Sequence, residues 1–385
     1  MKNIFKSTLP IALAIVLTGC GTAVKRASID NTVTDEPVTE GTLTDEPVNK
    51  AKTVENLTQG PNQPEDSVPE IPKITAAVQR WDKDTIYDII GEGQPFSSEE
   101  EYPSDRYPDE MRTVWFYDER YAYLHAEPES VGYHAPDNGA GHRYFFSCHD
   151  LYYSEPTVTY SDELEGFSKE DAIQRAREAA EKLGITNIGE PSVFAITAES
   201  ANAHYRYEKR LHELSENMGD YEYVPWTKDD EAYYLTFPLV YEGIPVETSG
   251  VAVKGYSFDG SFVKVIVTKD EIVDLDCWGI TTPEYEIGEP VKINFSAEDI
   301  LNKVASEPPK NVVFDKMEYY NCELVYAPVD KPDNNEWVFA PVWRLDYGIT
   351  REYDSIVYNK PLEWEVHYTA IYNAETGERI AFGWE

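Results

Sequence analysis

The sequence predicts an α+β protein in which a helix is followed by an antiparallel β-meander, duplicated along the chain and preceded by a β-rich N-terminal region. Three observations point there. A helix opening recurs, Phe167-Ser-Lys-Glu-Asp-Ala-Ile173 against Phe295-Ser-Ala-Glu-Asp-Ile-Leu301. The stretches Glu231–Ile244 and Glu336–Ile349 align without a gap, both rich in aromatic and β-branched residues that favour strands. Residues 265–275 (VIVTKDEIVDL) and 370–382 (AIYNAETGERIAF) each read as strand, charged turn, strand. The expected organisation is a signal peptide over 1–19, an acidic tether over 20–72, an N-terminal region over 73–160, and helix–meander units over 161–285 and 286–385. The first unit carries extra residues between its helix and its strands. The polar, helix-like stretch 200–218, stopped by Gly219, is the expected insertion.

Taken in order, the chain opens with Lys2 and Lys6, an apolar run from Leu9 to Leu17, and Leu17-Thr18-Gly19-Cys20. That is the layout of a secretory signal, and the run is shorter than the ~20 apolar residues that span a bilayer. The cysteine at the cut resembles the lipobox of bacterial lipoproteins. The resemblance implies a diacylglyceryl group on the Cys20 thiol, cleavage before Cys20, and attachment to the outer side of the cytoplasmic membrane. Residues 21–72 hold no Phe, Tyr or Trp and repeat TDEPV at Thr34–Val38 and Thr44–Val48. Such a segment buries too little apolar surface to offset its ordering entropy and is expected to be disordered. As flexible chain it reaches roughly 40 Å r.m.s., enough to hold a folded body off the membrane.

Residues 73–90 (KITAAVQRWDKDTIYDII) are expected to be helical, with Ile74, Ala77, Val78, Trp81 and Ile86 recurring on one side. From Arg112 to about Tyr160 the aromatic alternations TVWFYDERYAYLHA and HRYFFSCHDLYY predict antiparallel strands. Ser168 is a good N-cap with Asp171 three residues on, Ala172, Ala176, Ala180 and Leu183 recur at helical spacing, and Gly184 is a natural stop. The second opening leads into a stripe of Ile300, Leu301, Val304 and Ala305, ended by Pro308-Pro309.

The segment Tyr372-Asn-Ala-Glu-Thr-Gly-Glu-Arg-Ile380 resembles the Y-x-A-x-T-G-E-x-I close of PepSY-type modules. Two such units behind a membrane anchor also resemble extracytoplasmic regulators of the YycH/YycI type, which carry a transmembrane helix where this chain has a lipobox. The resemblance covers roughly 161–385. It implies a non-catalytic role: regulation of an envelope sensor kinase, restraint of a protease, or ligand binding. It carries over no catalytic residue.

Charge narrows the partners. The 385 residues carry a formal net charge of −38, which repels nucleic acid and anionic lipid head groups. Nucleic acid is excluded as a partner, and the membrane is met through lipid alone. Four cysteines, Cys20, Cys148, Cys277 and Cys322, do not make a disulfide scaffold. With Cys20 lipidated, three remain, best read as small core residues.

Candidate chemistry is sparse. His125, His134, His142, Cys148 and His149 are ligand types that zinc accepts, yet their spacing matches no compact ligand pair. His212-Glu213-Leu-Ser-Glu216 ends in Glu where a zincin helix needs His. Glu363 and Glu365 flank Trp364 as a carboxylate pair of the kind glycosidases use, in a chain where such pairs arise by composition. Asp330 to Glu336 offers oxygen ligands without the spacing or central glycine of an EF-hand. No nucleophile elbow, Walker A motif or dinucleotide fingerprint occurs, and no cofactor is expected. The function read from the sequence is binding or regulation at the cell envelope. An envelope hydrolase and a sugar- or solute-binding lipoprotein are the alternatives.

Overall fold

Period-two burial, not helical spacing, governs the start of the fold. In the computed structural model of the chain, which describes residues 69–91, 93–94, 96–104, 107, 109–117, 122–135, 163–203, 206, 225–253, 256–306, 316–329, 335–355 and 360–380, Glu70–Val78 is strand β1. Ile74, Ala76 and Val78 point inward along it. The helix expected over 73–90 shrinks to a single turn, α1 (Lys83–Ile86), capped by Asp82 and continued by a π-turn to Gly91. The reason is that Ile74, Ala76 and Val78 also satisfy a strand.

Four strands then run to and fro: β2 (Ser98–Pro103), β3 (Met111–Phe116), β4 (Ala122–Glu127) and β5 (Ser130–His134). Helix α2 (Lys169–Lys182) follows, with the Ser168 hydroxyl accepting from the Asp171 N–H at 3.1 Å. Gly184 takes φ 78°, and the Ile185 N–H closes back on the Ala180 carbonyl at 2.9 Å. Beyond it lie β6 (Ser192–Ile196), β7 (Ala232–Pro238), the small ribbons β8 (Val240–Tyr241) with β9 (Ile244–Pro245) and β10 (Val251–Val253) with β11 (Tyr256–Phe258), then β12 (Phe262–Thr268), β13 (Ile272–Trp278) and β14 (Thr281–Lys292). Helix α3 (Ala297–Ser306) precedes β15 (Lys316–Pro328), β16 (Glu336–Ser355), β17 (Lys360–Asn373) and β18 (Arg379–Ile380).

These strands form two large antiparallel sheets. The eight-stranded sheet runs β2-β3-β4-β5-β13-β12-β7-β6, so strands from 98–134 and from 192–278 share one sheet. The six-stranded sheet runs β14-β1-β16-β17-β18, with β15 also paired to β16. Here β1 lies between β14 and β16, antiparallel to both.

The architecture is therefore mainly β, and the predicted α+β succession of helix and meander, repeated, is not what forms. The matched segments play different parts. Gly243 sits at φ 77° in a tight turn, whereas its counterpart Gly348 lies inside the 20-residue strand β16. The recurring helix openings record shared capping chemistry, which is local. Sheet membership is decided by strands far apart in sequence. Of the predicted insertion over 200–218, residues 200–203 are helical and, apart from Arg206, the rest lies outside the described residues.

One apolar cluster joins the α2-facing side of the eight-stranded sheet to Ile74, Tyr326, Trp337 and Phe339 of the other. A second packs Ile300 and Val304 of α3 on Leu345, Tyr347 and Tyr372. Between the sheets, Glu129 acts as a peg. It occupies the β4–β5 turn at φ 59°, is 1 % exposed, and accepts from Tyr107 Oη at 2.9 Å and Trp337 Nε1 at 3.1 Å. Among the described residues no helix is long and apolar enough to cross a membrane.

Candidate functional site

In an antiparallel sheet, directly opposed residues share a face. On the eight-stranded sheet this rule gathers five ionisable side chains. Lys264 of β12 opposes Asp276 of β13, Asp276 opposes Gly132 of β5, Gly132 opposes His125 of β4, and Asp274 of β13 opposes His134 of β5. The opposite face of the same strands is apolar, with Val263, Val265, Leu275, Cys277, Val131 and Leu124 buried in the main cluster. One side of the sheet builds the core and the other holds charge.

The charges are paired. Lys264 Nζ lies 2.8 Å from Asp276 Oδ2, both side chains 9 % exposed. His134 Nδ1 bonds to Asp274 Oδ2, while Asp274 Oδ1 is buried and has no hydrogen-bond partner. His125 Nε2 meets Ser130 Oγ at 3.2 Å. The His125 ring lies where a residue-132 side chain would stand. A Cβ on Gly132 would fall 2.2 Å from His125 Cε1 and 2.9 Å from Asp276 Oδ1. The glycine is what lets an imidazole and a carboxylate approach across that strand.

Their titration follows from burial and from these partners. Burial pushes the His125 imidazole down to about 4, so it is neutral at physiological pH. For His134 burial works against the charge, and the bond to Asp274 together with the Asp274 and Asp276 carboxylates outweighs it, raising the imidazole above its ordinary value. Burial likewise opposes the charge on Asp276. The Lys264 ammonium and His134 overcome it and hold that carboxyl below its usual range. Burial pushes the Asp274 carboxyl up against the pull of His134, so His134 and Asp274 hold one mobile proton as a coupled pair beside Asp276 and Lys264.

A smaller charged group sits on the six-stranded sheet. Arg344 Nε lies 3.1 Å from Asp346 Oδ1 and 4.0 Å from Glu247 Oε2, and its Nη1 lies 3.9 Å from Glu323 Oε1. Burial opposes its charge, yet the three carboxylates hold its pKa above the ordinary arginine value. Glu247 is fully buried, held by the backbone N–H and hydroxyl of Ser249. This group fastens the 247–249 segment to β16 and β15.

Of the residues singled out in the sequence, His125 and His134 come together on one face, but with aspartates and a lysine rather than as metal ligands. Among the described residues no group of three His, Cys, Asp or Glu could hold a metal ion. His142, Cys148, His149, His212, Glu213, Glu216 and Cys20 lie outside the described residues. Glu363 and Glu365 lie in β17, opposite Glu352 and Thr350. Residues 330–334 are outside the described residues, and Glu336 opens β16. Cys277 and Cys322 are free thiols in different sheets. Burial raises both, Cys322 to about 12. Lys264, Asp274 and Asp276 were not anticipated. Their signal is a charge at alternate positions of otherwise apolar strands, FVKVIVT and IVDLDCW.

No family model matches the chain, and no curated protein matches it. Among solved structures, the chain is similar to an uncharacterized protein from Eubacterium rectale ATCC 33656, with a TM-score of 0.55 over 81 % of this chain and 86 % of that one. At 15 % identity the likeness is one of fold alone.

Proposed function

We propose that the chain is a lipid-anchored extracytoplasmic protein whose work is binding or regulation at the cell envelope. The observation that carries this reading is Leu17-Thr18-Gly19-Cys20 at the end of a short apolar run, followed by an aromatic-free acidic stretch that leads to β1. The two acyl chains implied for Cys20 suffice for stable anchoring, at ~0.8 kcal/mol per buried CH₂. An envelope sensor kinase or protease is the proposed class of partner.

The test is metabolic labelling of cells with an alkyne fatty acid, followed by fractionation. The native chain takes up label and stays with the membrane. Cys20→Ala loses the label and either appears in the medium or retains its first 19 residues. Labelled, membrane-bound Cys20→Ala protein would overturn the anchor. Cross-linking in the same cells addresses the partner: one envelope kinase or protease recovered with the chain supports regulation. Recovery of a bound solute alone would favour the receptor reading.

A further inference from the structure

The eight-stranded sheet has a seam at its waist, where strands drawn from 98–134 meet strands drawn from 192–278. Among the described residues, strands β2 to β5 pair with the β13, β12, β7 and β6 half through β5 and β13, over four positions: Val131 with Cys277, Gly132 with Asp276, Tyr133 with Leu275, and His134 with Asp274. Two further bonds extend it, from the Ala135 N–H to the Val273 carbonyl at 2.9 Å and from the Ile280 N–H to the Glu129 carbonyl at 3.1 Å. The neighbouring β3–β4 and β4–β5 pairings have the same four-position span, whereas β12 pairs with β7 over the whole of Phe262–Thr268. The apolar face secures the waist with Leu275, Tyr133, Cys277 and Val131. On the charged face, the hydrogen bond between His134 and Asp274 crosses it.

That bond carries unusual weight. Asp274 is 2 % exposed, its Oδ1 has no partner, and His134 is the hydrogen-bond partner of its Oδ2. A buried carboxylate without a compensating charge is strongly unfavourable. The groups that face His134 among the described residues are Asp274 and Asp276 of β13, Lys264 of β12 and His125 of β4, with Arg112 of β3 on the far side of His125. With His134 protonated, Asp274 and Asp276 are balanced by His134 and Lys264. When the Nε2 proton leaves to solvent, Nδ1–H can still donate to Asp274, but two carboxylates then share the single ammonium of Lys264.

We propose that His134 is a proton-operated latch across the β5–β13 waist, and that loss of its proton on the alkaline side loosens the attachment of strands β2–β5 to the rest of the sheet. The sign follows from linkage. The closed waist binds the proton more tightly than the open one, where His134 regains an ordinary value of about 6.5. The contribution of His134 to closure is therefore fully present below about 6.5. As pH rises from there to the closed-state value the opening constant grows about tenfold per pH unit, and then levels off.

Hydrogen–deuterium exchange of the full chain, corrected for the base catalysis of exchange itself, reads this directly. The amides of 131–135 and 273–277 are expected to lose protection with rising pH, while those of β16 and β17 keep theirs as internal controls. His134→Gln retains a donor without the charge, so its waist should exchange at a pH-independent level close to that of the native protein at high pH. Asp274→Asn should lower the His134 titration, followed by imidazole NMR, because burial then acts with only the Asp276 carboxylate opposing it. Waist protection in the native chain that does not change with pH would overturn the latch, whatever the variants do. A pH dependence that persists unaltered in His134→Gln would assign it to another group and overturn it equally.

Discussion

At the scale of the residue, the site depends on what is missing from position 132. His125 can lie across β5 only because Gly132 has no side chain, and Asp276 reaches toward the same space. Gly132→Ala is therefore expected to destabilise the fold by about 1–3 kcal/mol, the usual range for overpacking a filled site, measured by urea denaturation. His125→Ala, which removes the nearest clash and leaves Asp276 Oδ1 at 2.9 Å, should make the same glycine substitution markedly less costly. Additive losses in the double variant would show that the clash is not the cause. Neither Lys264 nor Asp276 announces itself in the sequence as a partner of the histidines. Asp274 lies 140 positions from His134, and a strand-alternating charge is ordinarily read as solvent-facing. Only register turns that face inward.

The elements divide by how local their causes are. The two long helices were legible because their signals are contained within a few residues. Ser296 Oγ accepts from the Asp299 N–H at 3.2 Å, and the Ser296 N–H donates back to Asp299 Oδ2 at 2.8 Å, a reciprocal cap that the letters Ser-Ala-Glu-Asp already suggest. Ser296→Ala should cost about 1 kcal/mol, read as a shift of the thermal midpoint. An unchanged midpoint would mean that α3 is held by packing alone. Strand β1 was not legible as a strand, because Ile74, Ala77 and Val78 fit a helical stripe and Ile74, Ala76 and Val78 fit a strand equally well. What decides is the pair of neighbours, β14 and β16, that a single strand cannot reveal. The matched openings of α2 and α3 suggested two equal units for the same reason. Capping similarity is visible in sequence, whereas the pairing of β5 with β13 is not.

For the whole molecule, the position of β1 fixes where the chain can be trimmed. Limited proteolysis of the full chain is expected to remove the N-terminal segment and stop at or before Glu70. A stable fragment beginning beyond Val78 would show that the six-stranded sheet survives without β1, contrary to its place between two partners. The same position has a mechanical consequence. The segment that runs back to Cys20 joins the body at Pro69, whose carbonyl accepts from the Ile293 N–H at 2.9 Å, and continues straight into β1. With the anchor proposed for Cys20, a pull from the membrane would be directed along β1, whose bonds to β14 and β16 lie across the line of force. They are loaded in shear and together, instead of being peeled one after another from an edge. The strand nearest the proposed anchor is the one best placed to bear its tension.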